Sequence, residues 1–332
     1  MAQMKHIEGP LPPTDQRIVA ALHVDGRASW RRIAQVLDIP ERTVHRRGSD
    51  LLARKAVSVH GLADPHRIHK AEPAVVHTHC VPGKAWAVAS SLARRRESVV
   101  AHLTSGTADC FVDWWSPDAQ LANLLGHELG AISGVNSFTV SPIMRYLRTV
   151  HDWQPNILTA DEIDELRNIP RLAEWPQFSA PIELDRTGKY ILKCLVEDGR
   201  RSFEDIALRS DVSEQTVNRR IDQMRTAGLL VIRALVDPAL LGFPVGALLR
   251  IAPVPENFDT VVQAIQENPM VRYAVVVMGD YQIMAEVRAS SRSELYDLMF
   301  KEPWFRLSYR FETSLILATL KQSGVLALTL EQ

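Results

Sequence analysis

At 332 residues, 46% hydrophobic and 23% charged, the chain has the composition of an ordinary soluble globular protein with room for two to four domains. Its net charge of −1 leaves any affinity for nucleic acid to local patches, and three cysteines without a C-x-x-C pair suggest neither a zinc ribbon nor a disulfide framework. No apolar run approaches the roughly 18 residues of a membrane span, and the start Met1-Ala2-Gln3-Met4-Lys5 leads into no signal-peptide core, so a reducing cytoplasm is the expected compartment.

Residues 1–10 read as a frayed arm. A first helix is predicted from Thr14 or Asp15, with Ile18, Ala21 and Leu22 on one face, ending at Gly26. Ser29 is a suitable N-cap for a second helix that turns Ile33, Ala34 and Leu37 inward. Asp38 then stands where a helix-turn-helix needs a left-handed residue, a conformation Asp tolerates better than most. The third helix starts near Pro40 and points Val44, Gly48 and Leu51 at the core, which leaves Arg42, Thr43, His45 and Arg46 outside. Val57-Ser58-Val59 reads as a wing. From Ala74 the pattern becomes strand Val75–Val81, helix Lys84–Ala93, strand Ser98–Thr104, a hairpin turn at Gly106, strand Cys110–Trp115, helix Asp118–Leu129 and strand Val135–Val140, a βαββαβ order of ferredoxin-like type.

Residues 151–183 hold four prolines around Thr159-Ala160-Asp161-Glu162, whose Thr159 and Glu162 form a capping box. They are expected to be a semi-rigid connector with a docked helix. Beyond it the first half returns at an offset of 173 residues: residues 11–47 and 184–220 agree at 16 of 37 positions without a gap, Glu41-Arg42-Thr43-Val44-His45-Arg46-Arg47 coming back as Glu214-Gln215-Thr216-Val217-Asn218-Arg219-Arg220. A second βαββαβ run follows, with strands near Val245–Ile251, Val271–Met278, Tyr281–Val287 and Tyr309–Ala318, helices near Phe258–Glu267 and Glu294–Phe300, and the hairpin at Gly279-Asp280.

An N-terminal helix-turn-helix followed by βαββαβ resembles the Lrp/AsnC family of feast/famine transcription regulators. The resemblance rests on Leu184-Asp185, Glu197-Asp198-Gly199-Arg200, Ile206-Ala207, Thr216-Val217-x-Arg219-Arg220-Ile221 and Gly228-Leu229-Leu230, and it covers both halves, as in a tandem-duplicated form. The implied fold class is α+β, two winged helix-turn-helix domains (11–64 and 184–237) alternating with two ferredoxin-like, RAM-type sensor and dimerisation domains (71–150 and 242–325). The first copy departs from the family pattern at Pro12, in place of the early Asp. It departs again at Gly48, where a branched apolar residue is usual and where a mid-helix Gly costs about 1 kcal/mol against Ala and leaves a core position unfilled. Whether the two βαββαβ domains pair within a chain or between chains is open in the sequence.

The resemblance implies double-stranded DNA as a partner, a homo-oligomer built through the βαββαβ domains, and an amino-acid-like effector. It implies no catalytic group, no cofactor and no membrane. The candidate DNA-contacting residues are Arg42, Thr43, His45, Arg46 and Arg47 of the first head and Gln215, Thr216, Asn218, Arg219 and Arg220 of the second. Arg42, His45, Gln215 and Asn218 suit base edges, and the second Arg of each pair, beside the buried Val, suits phosphate. The competing reading, a solvated helix face, is weakened by the recurrence of the pair. Eight Arg and Lys stand against four Asp and Glu over residues 25–60, but seven against six over 198–233, so the first head is the more basic. The candidate effector residues are Gly106, Thr107 and Asp109, matching the family's Gly-x-x-Asp, and Gly279, Asp280 and Gln282, where the last Asp is lost. A hairpin glycine exposes main-chain N–H groups to a carboxylate, and an acid beside it suits an ammonium; the alternative is two plain turns. His77 and His79 share a strand face with Cys80 opposite, which makes a haem- or metal-binding sensor an alternative, but no third ligand falls at a recognisable spacing. Sirohaem decarboxylases resemble the same family, but Ala101-His102-Leu103-Thr104-Ser105-Gly106 does not match their histidine- and aromatic-rich stretch.

Overall fold

In a computed structural model that describes residues 9–150, 153–167 and 182–327, the described chain forms two compact units. Residues 9–64, 154–167 and 182–243 make one, and 65–150, 153 and 244–327 the other. Most of the expected N-terminal arm, and Pro170, Pro176 and Pro181 of the connector, lie outside the described residues.

The first unit holds α1 (Pro13–Val24), α2 (Trp30–Leu37), α3 (Glu41–Ala53) and β1 (Val57–Ala63). In the second unit, α4 (Pro65–His69), β2 (Ala71–Cys80), α5 (Ala85–Arg94), β3 (Ser98–Thr104), β4 (Cys110–Pro117), α6 (Asp118–Asn123) and β5 (Val135–Arg148) follow. The chain returns to the first unit with α7 (Ala160–Leu166), α8 (Arg186–Glu197), α9 (Phe203–Ser210), α10 (Glu214–Thr226) and β6 (Leu230–Val236). It ends in the second with β7 (Val245–Pro253), α11 (Phe258–Glu267), β8 (Val271–Val277), β9 (Ile283–Ala289), α12 (Arg292–Phe300), α13 (Pro303–Arg306), β10 (Ser308–Gln322) and β11 (Val325–Leu326). The expected helix over Asp118–Leu129 is α6 continued by a wider π-helical turn, Leu124–Glu128.

Both heads fold by the same local devices. Ser29 and Ser202 cap α2 and α9 by accepting from the amides of Arg32 and Asp205. Asp38 and Asp211 adopt the left-handed conformation at φ 52° and 54° that turns the chain into the third helix. The heads are joined to each other by their wings: β1 and β6 pair antiparallel along their whole lengths, with His60 opposite Arg233, its own counterpart in the repeat. Helix α7 carries the capping box expected of Thr159 and Glu162 and packs on the first head, Glu162 taking Arg17 and the Glu165 carbonyl taking Arg32.

In the second unit each βαββαβ sheet has the ferredoxin-like strand order, β3-β4-β2-β5 and β8-β9-β7-β10. The last strand of each runs on past its own sheet. Strand β5 pairs with β2 up to Pro142 and then with β8, and β10 pairs with β7 up to Leu315 and then with β3. The eight strands therefore close into one circuit, with β11 hydrogen-bonded to the end of β10. Alternation along the strands divides the core. Val76, Ala101 and Val112 face the helices of the first copy, and Leu249, Ile283, Ala285 and Val287 those of the second. Val75, Val100, Phe111, Leu248, Tyr273, Val275 and Met284 meet between the sheets. The two sensor-type domains thus pair within one chain.

Candidate nucleic-acid interface and sensor hairpins

Helices α3 and α10 bury Val44, Gly48 and Leu51, and Val217, Ile221 and Met224. The geometry leaves Arg42, His45 and Arg46 exposed on one helix and Gln215, Asn218 and Arg219 on the other, with Thr43 and Thr216 half-buried. Among the described residues, Arg42, Arg46 and Arg219 make no intramolecular ion pair. Along α10 the outward side chains of Gln215, Asn218, Arg219, Asp222 and Gln223 line an open groove.

The second arginine of each pair behaves differently from the phosphate contact expected of it. Arg47 donates to Asp15 at 3.0 Å, and Arg220 donates to both oxygens of Asp185 at 2.8 Å. These residues tie the third helix of each head to the first. Asp185 is also the N-cap of α8, taking the Gly188 amide; that bond and Arg220 hold its carboxyl below the usual range. In the first head Pro12 occupies the position of Asp185, and Asp15, one helical turn on, supplies the carboxylate instead. Nor is the Gly48 position empty: a Cβ placed there would lie 2.4 Å from Cζ3 of Trp30, whose ring covers it. His45 meets the same ring edge-on at 6.3 Å.

One feature of the heads carried no role in the sequence, although Asp-Gly-Arg stands in both copies. Arg27 donates to the carbonyls of Gly199 and Arg201 and lies 4.4 Å over the Phe203 ring, and Arg200 donates to the carbonyls of Gly26 and Ala28 and lies 4.5 Å over Trp30. Burial lowers the pKa of both guanidiniums. Asp25 and Asp198 fix the turns by accepting from the amides of Arg27 and Arg200.

In the other unit, each hairpin glycine abuts the crossing strand of the other copy. Gly106, at φ 94°, faces Ser314, and Gly279, at φ 137°, faces Ser141, the counterpart of Ser314 in the repeat. Thr107 accepts a hydrogen bond from Arg250, which also pairs with Glu312; Glu312 in turn takes the Tyr281 hydroxyl at 2.6 Å. Arg250 and Arg310 lie 5.0 and 4.7 Å from the centre of the Tyr281 ring. The Asp109 carboxylate accepts from the Cys80 amide at 2.7 Å, and Glu312, across the strands, is linked to the first hairpin through Arg250. At the second hairpin Asp280 is 84% exposed with Arg310 at 3.7 Å, and Gln282 donates back to the Gly279 carbonyl at 3.1 Å. The positions matching Arg250 and Glu312 are His77 and Thr139 there, so the ion pair belongs to the first hairpin alone.

The space between the sheets holds several buried polar groups. Glu286 receives Arg272 and Arg288, and His102 lies 3.6 Å from it. Burial works against the Glu286 charge, but the two guanidiniums outweigh it and hold the carboxyl well below its usual range. Tyr273 donates to Asp113 at 3.1 Å. Burial pushes Asp113 up to about 7 and His77, helped by Arg250 and His79, down to about 3. Among the described residues, no three His, Cys, Asp or Glu side chains are grouped to hold a metal ion, and no helix is long and apolar enough to cross a membrane.

Comparison with known proteins matches residues 13–51 and 184–225 to the AsnC-type helix-turn-helix domain and residues 247–326 to the Lrp/AsnC ligand binding domain. The chain is 35% identical over 119 residues to the HTH-type transcriptional regulator LrpA1 of Halobacterium salinarum, a match spanning 36% of this chain and 84% of that one. It is 30% identical over 118 residues to the uncharacterized HTH-type transcriptional regulator PH0140 of Pyrococcus horikoshii, over 35% of this chain and 75% of the relative. Among solved structures, the siroheme decarboxylase NirDL superposes with a TM-score of 0.61 over 94% of this chain and 93% of its own, at 12% identity, a likeness of fold that spans both halves.

Proposed function

We propose that this chain, which belongs to the Lrp/AsnC family of helix-turn-helix transcriptional regulators, regulates transcription by docking α3 and α10 on double-stranded DNA under the control of a small zwitterionic effector. The observation that carries the DNA reading is the division of labour within each arginine pair. Arg47 and Arg220 brace the third helix against the first through Asp15 and Asp185, whereas Arg46 and Arg219 stand at equivalent outward positions with no intramolecular partner among the described residues. A free guanidinium on a recognition helix suits phosphate, and Arg42, His45, Gln215 and Asn218 beside it suit base edges. Electrophoretic retardation of genomic fragments over a salt series tests this; binding that neither depends on salt nor weakens on losing Arg46 and Arg219 together refutes it.

The effector is assigned to the first hairpin. Arg250 and Glu312 offer a cation and an anion side by side at the mouth of Gly106-Thr107, complementary to the carboxylate and ammonium of an amino acid. Gly279, Asp280 and Gln282 then form a turn without a ligand pair. A thermal-shift panel of amino acids reads this out, since a ligand that binds the native state raises its midpoint. Association of whole chains, expected from the family, would use faces of the βαββαβ domains other than the sheet edges already paired within the chain, and light scattering measures it. A cytoplasmic location goes with this function.

A second reading, an enzyme acting on a sirohaem-like tetrapyrrole, has the whole-chain likeness of fold in its favour. The histidines between the sheets are engaged in packing instead: His102 bonds Thr319 and stacks on Phe111 at 5.9 Å, and His77 meets Phe111 edge-on at 5.4 Å. A tetrapyrrole absorption band acquired on titration with sirohaem would support the enzyme.

A further inference from the structure

We infer that a single chain reads a non-palindromic DNA site whose two halves are recognised by the unlike faces of α3 and α10, an inference that rests on the DNA-binding reading above. A family member with one head has to bring two chains together to place two recognition helices on DNA, and the twofold symmetry of such a pair is mirrored in a palindromic site. Here the pair is complete in one chain. The wings run antiparallel with His60 opposite its repeat counterpart Arg233, which puts a local twofold between the heads. The reciprocal bonds of Arg27 and Arg200 obey the same twofold, each guanidinium reaching the same two carbonyls of the opposite turn. Backbone geometry therefore presents α3 and α10 as a symmetric pair.

The side chains they present are not symmetric. Arg46 and Arg219 agree, but Arg42 faces outward where the second head has Gln215, and His45 where it has Asn218. One turn further on, Ser49 and Asp50 stand where the second head has Asp222 and Gln223. Arg pairs with the O6 and N7 acceptors of guanine, and Gln and Asn with the N6 donor and N7 acceptor of adenine. Each head carries one acid on this turn, Asp50 in the first and Asp222 in the second, at neighbouring rather than matching positions. The inferred site has half-sites at the twofold spacing of one helical turn or a multiple of it, guanine-bearing under α3 and adenine-bearing under α10.

The test is selection of bound duplexes from random double-stranded DNA by the full chain, followed by sedimentation of the chain on the selected duplex. It is repeated with Arg42→Gln, His45→Asn, Ser49→Asp and Asp50→Gln combined, which gives the first head the outward face of the second. We expect an asymmetric consensus bound by one chain, at least about tenfold tighter than a palindrome of either half. The combined variant, with an unchanged melting temperature, should select a palindrome of the adenine-bearing half. A palindromic consensus indifferent to the substitutions, or two chains on each selected site from protein that light scattering finds monomeric before DNA is added, overturns the inference while leaving the DNA reading intact. Failure to enrich any duplex at low salt overturns the DNA reading itself.

Discussion

Arg27 and Arg200 clasp the two heads by exchanging places, each guanidinium hydrogen-bonding the main chain of the turn that carries the other and stacking on the aromatic ring just beyond it. Hydrogen bonds from a charged donor contribute about 1.5–3 kcal/mol, and a half-buried guanidinium over a ring adds about 0.5–2 kcal/mol. Replacing either arginine by alanine is expected to destabilise the head pair by about 2–4 kcal/mol in urea unfolding. Because both clasps hold the same interface, the double variant should fall short of the sum. Loss of under 0.5 kcal/mol in each single variant would show that the wings alone hold the heads together.

Trp30 and Gly48 form a matched pair that replaces the Phe203 and Ile221 found at the same positions of the second head. In an open helix, Gly48→Ala would gain about 1 kcal/mol. Here the added methyl would meet the Trp30 ring at 2.4 Å and force it out of its stack under Arg200, so a net loss of about 1–3 kcal/mol is expected. Trp30→Phe combined with Gly48→Ile should recover most of the stability lost by Gly48→Ile alone. Equal melting temperatures for that single and double variant would show that the two positions are not coupled.

These pairs show where the sequence stops being legible. Helices, strands and hairpins of both halves follow from periodicity, caps and glycines, and they are observed close to their expected places. Pro12 and Gly48, taken singly, read as defects, because compensation comes from residues a turn or more away, Asp15 and Trp30, that adjoin them only in three dimensions. The pairing of β5 with β8 was hidden for another reason. Pro142 interrupts the alternation of β5 just where the strand leaves its own sheet, and its new partner lies some 130 residues further along the chain. Arg250 and Glu312 face each other across β7 and β10, again a long-range register that no local pattern encodes. Asp109, by contrast, was legible as a motif residue but not in its direction, which its bond to the Cys80 amide decides.

The two arginines of each recognition helix should separate cleanly by experiment. Arg46→Ala and Arg219→Ala are expected to leave the melting temperature unchanged and to lower DNA affinity, each flattening the dependence of log K on log salt by about one. Arg47→Ala leaves Asp15, whose side chain is 8% exposed, without its guanidinium, and should cost about 1–3 kcal/mol of stability. The more exposed Arg220–Asp185 bridge should cost less. An Arg47→Ala protein as stable as the parent but poor in binding would return that arginine to the phosphate contact the sequence suggested.

Two buried groups give opposite pH dependences. Asp113, raised from 3.8 to about 7, takes up a proton on folding throughout that interval, so its contribution to stability falls as pH rises from about 4 to 7 and is flat above. His77, lowered from 6.5 to about 3, excludes a proton the unfolded chain would bind, so its contribution falls as pH drops below 6.5. At about 1.4 kcal/mol for each pH unit, the two slopes nearly cancel between about pH 4 and 6. Asp113→Asn removes one of them. The variant is expected to gain stability over the parent at pH 8 and to lose that advantage progressively toward pH 4, where the parent carboxyl is itself neutral. A stability difference that does not change with pH would mean that Asp113 is not protonated on folding.

The sensor reading turns on a competition at the first hairpin. With no effector bound, Arg250 spends its guanidinium on Thr107 and Glu312, so an incoming amino acid has to replace that internal pair with its own carboxylate and ammonium. The side chains are only 19% and 18% accessible, so a ligand has to meet both charges at once, its carboxylate replacing Glu312 on Arg250 and its ammonium replacing Arg250 on Glu312. Arg250→Ala removes the carboxylate partner, and Glu312→Gln removes the ammonium partner while preserving the bond from Tyr281. Each is expected to abolish an amino-acid-induced thermal shift seen in the parent without altering basal DNA affinity. Asp109→Ala should keep the shift, because its carboxylate serves the Cys80 amide, and should instead lower the melting temperature. The matching residues at the other hairpin are His77 and Thr139, so titration calorimetry should return one effector per chain. Two equivalent sites per chain, or a shift that survives in both Arg250→Ala and Glu312→Gln but vanishes with Asp109→Ala, would place recognition on the Gly-x-x-Asp turn rather than on the ion pair across from it.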